Sequence, residues 1–109
     1  MDCLFCKIAK GEIPADVVYE DEYVVAFKDI DPQAPIHVLV IPKRHMPNIL
    51  CANSSDLESI NKGINEVVKK LNIENGFRVV VNTGRDANQT VEHLHYHILA
   101  GRNLSWPPG

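Results

Sequence analysis

The chain has 109 residues, of which 45% are hydrophobic, and this suffices for one domain with a modest core. Its formal net charge of −3 argues against a nucleic-acid-binding surface. The apolar runs have the length of strands rather than of a membrane span, and the N-terminus does not have the pattern of a signal peptide. Three cysteines without a secretion signal argue against a disulfide framework, so we expect a cytoplasmic protein.

The first half of the chain predicts a short helix and three strands. The helix covers residues 4–9 and ends before a glycine that can take the left-handed C-terminal conformation. Strand patterns at 17–19 and 23–27 flank an acidic turn and predict a hairpin. A third strand covers 37–41 and ends at Pro42, because proline has no amide to continue a ladder.

The second half predicts one long helix and two further strands. Residues 55–71 carry apolar side chains at three- and four-residue spacing, and Ser55 and Glu58 fit a capping box. A fourth strand is predicted at 77–82, and a polar loop at 83–92 leads to the fifth. The whole chain, 1–109, is therefore expected to form an α+β domain with a mostly antiparallel five-stranded sheet, one long helix and one short helix.

Three histidines alternate with apolar residues in the segment His-Leu-His-Tyr-His-Ile-Leu at 93–99. In a strand, alternate side chains share a face, so His93, His95 and His97 are expected on one side of the sheet. His93 and His97 would then lie about 13 Å apart, too far for a compact site on a single zinc ion. We therefore expect the three imidazoles to divide their work, with one of them at the reacting atom.

His-x-His-x-His followed by apolar residues resembles the signature of the histidine-triad (HIT) superfamily of nucleotide-binding proteins. The likeness extends through Asp-Ile-Asp-Pro-Gln-Ala-Pro-Ile-His at 29–37 and Arg-Val-Val-Val-Asn at 78–82. The closing Trp-Pro-Pro-Gly at 106–109 resembles the Hint branch rather than the Fhit or decapping branches. The resemblance implies a homodimer in which the sheet continues across both subunits.

The resemblance also assigns roles to the histidines. It implies that His95 is the nucleophile that forms a nucleotidyl intermediate, and a neutral imidazole suits that role at neutral pH. His97 is expected to hydrogen-bond the phosphoryl oxygen or the leaving group, and His37 to support it from another strand. The alternative for His95 is that it binds phosphate as an imidazolium without covalent chemistry.

A purine nucleotide is the ligand that the resemblance implies. Asp29 would accept the two ribose hydroxyls, although an aspartate in a turn is common without any ligand. An apolar clamp for the base and a loop that cradles the phosphate would complete the site: the clamp is Phe5, Ile8, Phe27 and Ile30, and the loop residues are Asn82, Asn88, Gln89 and Thr90. Asn88 stands where the family usually has glycine, and asparagine tolerates a positive φ better than most residues.

The expected function is hydrolysis of purine nucleoside 5′-phosphoramidates, or related nucleoside phosphate conjugates, through a nucleotidyl-His95 intermediate. One alternative is hydrolysis of dinucleoside polyphosphates, against which the Trp-Pro-Pro-Gly ending argues. A second is a non-catalytic purine nucleotide sensor or scaffold with the same pocket.

A structural zinc ion is expected at Cys3, Cys6, His45 and His93. Two thiolates in Cys-x-x-Cys can chelate one ion, and two histidines without another evident task complete the set. Some bacterial-type relatives in the family have this arrangement, whereas other Hint proteins lack it. The alternative is that Cys3 and Cys6 are free thiols; Cys51 is interpreted as a small apolar side chain.

Overall fold

The computed structural model describes residues 3–109 and has one antiparallel sheet with two helices. The elements in chain order are α1 (Leu4–Ala9), β1 (Val17–Glu20), β2 (Val24–Lys28), β3 (Ile36–Pro42), a 3₁₀ turn (Ile49–Cys51), α2 (Ser54–Lys70), β4 (Arg78–Val81) and β5 (Tyr96–Ala100). The five strands lie in the order β1-β2-β3-β5-β4, and every neighbouring pair is antiparallel. The predicted fold class is confirmed. In the described part of the chain, no helix is long and apolar enough to cross a membrane.

The two faces of the sheet carry different layers, and the period of two in the strands sorts the side chains between them. In β2, Val24 and Ala26 pack in the cluster beneath α2, whereas Val25 and Phe27 pack in the cluster beneath α1. Both faces are covered, which explains why β2 is apolar at successive positions rather than alternating. The α1 side carries the candidate site.

The long helix lies close to the sheet at Gly63. A Cβ atom there would be 3.0 Å from the Val24 Cγ2 atom and 3.4 Å from the Val40 Cγ1 atom, so a larger side chain would push the helix away. The predicted capping box is wrong in its residues. Asn53 is the N-cap, and its side chain and that of Asp56 satisfy each other's backbone amides instead.

The predicted strand at 93–99 begins later than expected. Only residues from Tyr96 onward pair with β3, because the preceding residues make other contacts. The Leu94 amide donates to the Met46 carbonyl at 2.7 Å, and the His95 ring bonds the His93 carbonyl. The alternation nevertheless persists, since Leu94 and Ile98 are buried beneath α2.

Candidate active site

A cavity of about 630 Å³ opens on the α1 side of the sheet, within the size range of small-molecule sites. It is bounded by α1, by the end of β2 with the loop after it, and by the histidine segment. The predicted site residues that line it are Phe5, Ile8, Phe27, Asp29, Ile30, Thr90, His95 and His97. The structure thus brings together eight predicted residues that are spread over most of the sequence.

The four predicted clamp residues form a largely apolar wall of this cavity. Phe5 and Phe27 are buried and meet edge to face, with ring centroids 5.6 Å apart. Ile30 is fully exposed at the rim. An apolar slot with a buried floor and an exposed lip has the shape needed to hold a flat aromatic base. Leu4, Ile13 and Pro14 also line the slot, and nothing in their local pattern distinguished them from ordinary surface residues.

His95 is a buried residue in the lining of the cavity, and one hydrogen bond fixes the position of its proton. Its Nδ1 atom is 2.8 Å from the His93 carbonyl oxygen. A carbonyl only accepts, so Nδ1 carries the proton and the neutral ring has its lone pair on Nε2. The residue is 5% exposed, and its ring contacts that of Phe5 at a centroid distance of 5.1 Å. This is the tautomer that a nucleophilic imidazole requires at Nε2.

His37 and His97 meet across neighbouring strands. The His37 Nε2 atom is 2.9 Å from His97 Nδ1 and 3.4 Å from an Asp29 oxygen. Burial lowers the pKa of His97 to about 4, and the neighbouring His95 and His37 add to this effect while Asp29 opposes it. Burial also lowers the pKa of His37, against the attraction of Asp29 and Asp31. Both rings are therefore neutral at pH 7.

Asp29 lies where β2 ends, at the edge of the cavity. Its Oδ1 atom accepts from the Asp31 amide at 2.8 Å, and its own amide donates to the His37 carbonyl at 2.9 Å. The first bond fixes the carboxylate to the loop, and the second fixes the Asp29 backbone to β3. The other oxygen, Oδ2, is the one that approaches His37.

The predicted phosphate loop is only partly at the cavity. Thr90 lines it, whereas Asn82, Asn88 and Gln89 are outside the cavity lining in the described part of the chain. Asn88 has a φ of 64°, so the departure from glycine is accommodated in the left-handed region.

Gln89 has a different task from the predicted one. Its side-chain amide donates to the Pro47 carbonyl at 2.7 Å and to the Val91 carbonyl at 3.0 Å, and its oxygen accepts from the Gly84 amide. Gln89 therefore holds the loop together, because both polar ends of its side chain are engaged within the protein.

Cys3, Cys6, His45 and His93 converge beside the histidine segment, and their candidate ligand atoms all lie within 4.8 Å of one another. The three closest sulfur–nitrogen and nitrogen–nitrogen distances are 3.2–3.3 Å. Tetrahedral zinc with bonds of about 2.1 Å to nitrogen and 2.3 Å to sulfur spaces its ligand atoms by about 3.4–3.8 Å, the longest spacing being between the two sulfurs. The four residues therefore fit a zinc ion with small adjustments.

A hydrogen bond prepares His93 for this role. Its Nε2 atom donates to the Pro42 carbonyl at 2.8 Å, which leaves the Nδ1 lone pair directed at the cysteines and His45. The carbonyl of the same residue accepts from the His95 ring. The cluster is thereby joined to His95 through one residue, and its support from Pro42 was not evident in the sequence.

Comparison with known proteins agrees with this geometry. The model of the HIT domain family matches residues 10–104. The chain belongs to the HIT family. An uncharacterised HIT-like protein of Synechocystis is 50% identical over 99% of this chain and 97% of its own length. The 14 kDa zinc-binding protein of Zea mays is 45% identical over 97% of this chain and 87% of its own length.

The fold agrees equally well with a solved member of the family. The crystal structure of a HIT family hydrolase from Legionella pneumophila superposes with a TM-score of 0.93 at 46% identity. The alignment covers 99% of this chain and all of the Legionella chain. The HIT domain of this chain therefore has the arrangement of sheet and helices found in that protein.

Proposed function

We propose that this HIT protein hydrolyses purine nucleoside 5′-phosphoramidates, or closely related nucleoside phosphate conjugates, through a nucleotidyl-His95 intermediate. The observation that carries the proposal is the 2.8 Å hydrogen bond from His95 Nδ1 to the His93 carbonyl, which leaves the Nε2 lone pair free beside the cavity. The name of the Legionella relative, a hydrolase, supports the reaction class.

The reaction has two displacements at phosphorus. In the first, the His95 Nε2 lone pair forms a bond to the α-phosphorus while the phosphorus–nitrogen bond of the substrate breaks. The departing amine takes up a proton from solvent, and the N–H of the neutral His97 ring can donate a hydrogen bond to the leaving nitrogen or to a phosphoryl oxygen. In the second, water attacks the same phosphorus and releases a proton to solvent, the bond to His95 breaks, and a nucleoside monophosphate leaves with His95 restored.

The other lining residues select the ligand. The slot of Phe5, Ile8, Phe27 and Ile30 suits a purine ring, and Asp29 at its edge can accept ribose hydroxyls. We propose Thr90 as a donor to the phosphate, because Thr90 lines the same cavity as His95 and His97 and has a hydroxyl.

The same proposal includes a structural zinc ion, a homodimer and a cytoplasmic location. Cys3, Cys6, His45 and His93 would hold the zinc, which would supply a tie between α1 and the histidine segment rather than chemistry at phosphorus. The zinc-binding relative from Zea mays supports this part.

A turnover assay tests the function. We expect hydrolysis of adenosine or guanosine 5′-phosphoramidate and little hydrolysis of a diadenosine polyphosphate. His95→Gly should lower kcat by several orders of magnitude and keep most of the nucleotide affinity, while the exposed Cys51→Ser control behaves as wild type. Retention of a tenth of wild-type turnover by His95→Gly would contradict the assignment. Nucleotide binding without turnover of any substrate would favour a sensor.

A further inference from the structure

Among residues 3–109, two clusters have the composition of a metal site. Only one of them has a histidine whose proton position leaves a lone pair for an ion. The first is the cysteine–histidine cluster described above. The second consists of Asp29, His37 and His97, whose candidate ligand atoms also lie within 4.8 Å of one another. The difference between them lies in what contacts the far nitrogen of one histidine in each.

In the cysteine–histidine cluster, the far nitrogen of His93 faces a carbonyl. The Pro42 oxygen accepts the Nε2 proton at 2.8 Å, so Nδ1 has a lone pair for an ion. In the second cluster, the far nitrogen of His37 faces an amide instead. The main-chain N–H of Gln33 lies 3.0 Å from His37 Nδ1 and can only donate. His37 Nδ1 must therefore be the acceptor, and the proton of the neutral ring is on Nε2.

The direction of the next hydrogen bond follows from this one. His37 Nε2 carries the proton and is 2.9 Å from His97 Nδ1, which must then accept. The proton of neutral His97 is consequently on its own Nε2. His97 borders the cavity, so the chain of bonds from Gln33 through His37 ends in an N–H donor beside the nucleotide site.

We propose that the main-chain N–H of Gln33 is a positioning group that fixes the proton order of His37 and His97, so that His97 meets the substrate as a hydrogen-bond donor and not as an acceptor or metal ligand. This rests on the proposed function for the identity of the substrate. With the opposite order, His97 Nε2 would present a lone pair to a phosphate anion and could not donate a hydrogen bond to the leaving nitrogen. A metal ion on His37 Nε2 would require a proton on Nδ1, opposed to the Gln33 N–H.

The loop is built to hold this amide in place. The Gln33 side chain donates to the Asp31 carbonyl at 3.0 Å, and the Asp31 amide donates to Asp29 at 2.8 Å. The Arg102 side chain donates to the Gln33 carbonyl at 3.1 Å from the far side. Three bonds therefore fix the loop around a single backbone donor.

Nitrogen NMR of the wild-type protein with ¹⁵N-labelled histidine tests the proton order directly, without any substrate. At pH 7.5 the long-range nitrogen–proton couplings should show His37 and His97 protonated at Nε2 and His95 protonated at Nδ1. A proton on Nδ1 of His37 would overturn the proposal. Because this measurement needs only the folded protein, it remains decisive if a variant does not fold or if the proposed reaction is wrong.

A pair of variants then separates the amide from the side chain. Gln33→Pro removes the N–H, whereas Gln33→Ala keeps it and serves as the matched control. We expect Gln33→Pro to lower kcat at least about tenfold for a substrate with a poor amine leaving group, with little change in KM. The loss should be much smaller for a nitrophenyl ester of the same nucleotide, because nitrophenolate is a stable anion and gains little from a hydrogen bond as it leaves.

The outcomes distinguish the two proposals. The positioning role would be overturned if Gln33→Pro lowered kcat by the same factor with both substrates. It would also be overturned if Gln33→Ala lowered kcat as much as Gln33→Pro does. Absence of hydrolysis by the wild-type protein would refute the proposed function instead, and the histidine proton order would still be decided by NMR.

Discussion

The low pKa of His97 predicts that this protein loses stability as the pH falls below neutrality. Burial lowers that pKa from 6.5 to about 4 in the folded state. In the unfolded chain the ring recovers its ordinary pKa of about 6.5 and binds a proton first as the pH falls. The contribution of His97 to the free energy of unfolding is therefore complete above about pH 7 and is lost between about pH 6.5 and pH 4.

The magnitude follows from the two pKa values. Between pH 7.5 and pH 5 the unfolded state gains up to about 2 kcal/mol relative to the folded state from this ring alone. The His97 ring is only partly buried, so solvent screening makes this figure an upper value. It remains large compared with the effect of most surface substitutions.

The assay compares urea unfolding of the wild-type protein and His97→Gln at the two pH values and at one protein concentration. Glutamine cannot titrate, but its side-chain oxygen can still accept from His37 Nε2. The wild-type protein should lose up to about 2 kcal/mol more than the variant on acidification. The exposed Cys51→Ser variant should follow the wild type. The reasoning would be refuted if the wild type and His97→Gln had the same pH dependence. It would also be refuted if the wild type were more stable at pH 5 than at pH 7.5.

Three further predictions concern ribose binding, the zinc site and the dimer. Asp29→Asn should weaken ribonucleotide binding by roughly 1–3 kcal/mol and hardly affect a 2′,3′-dideoxynucleotide, and equal weakening in calorimetry would make Asp29 structural. Replacing Cys3 and Cys6 by Ser should remove about one zinc per chain in elemental analysis and lower Tm; a metal-free wild type whose melting curve chelator leaves unchanged would contradict the site. The wild type should be a dimer by light scattering, and deletion of residues 104–109, which include the exposed Trp106, should alter leaving-group preference more than dimerisation.

Much of the fold could be predicted because the alternation of side chains along each strand, which the sequence indicates, is also found in the structure. Val24 and Ala26 alternate with Val25 and Phe27, and the two sets lie on opposite faces as the pattern requires. The histidine segment alternates in the same way even before its strand begins, since Leu94 is buried beneath α2. Alternation depends only on local backbone geometry, so a short sequence window is enough to read it.

The rest depends on contacts between distant residues, which no local pattern contains. His37 meets His97 because β3 and β5 pair with Leu39 opposite His97, a register set by the whole sheet. Gln89 was predicted to donate a hydrogen bond to phosphate, but its side-chain amide donates to the Pro47 carbonyl in another loop instead. The capping residue is Asn53 rather than Ser55, because several adjacent residues can cap and local energies differ little among them.

The roles of particular main-chain groups could not be predicted from the sequence. A main-chain amide at Gln33 and a main-chain carbonyl at Pro42 decide which nitrogen of His37 and His93 carries the proton. Every residue except proline has the same amide, and every residue has the same carbonyl, so only the folded chain shows which of them act.

The most direct test of the account is a search for the covalent intermediate. A nucleoside phosphoramidate is mixed with the protein, and the reaction is quenched within milliseconds under alkaline conditions that preserve phosphorus–nitrogen bonds. The protein is then digested, and the masses of the peptides are measured by mass spectrometry. The account predicts one nucleotidyl group on His95, formed at least as fast as the overall turnover and absent from His95→Gly. A nucleotidyl group on His93 or His97, or full turnover without any adduct at early times, would contradict it.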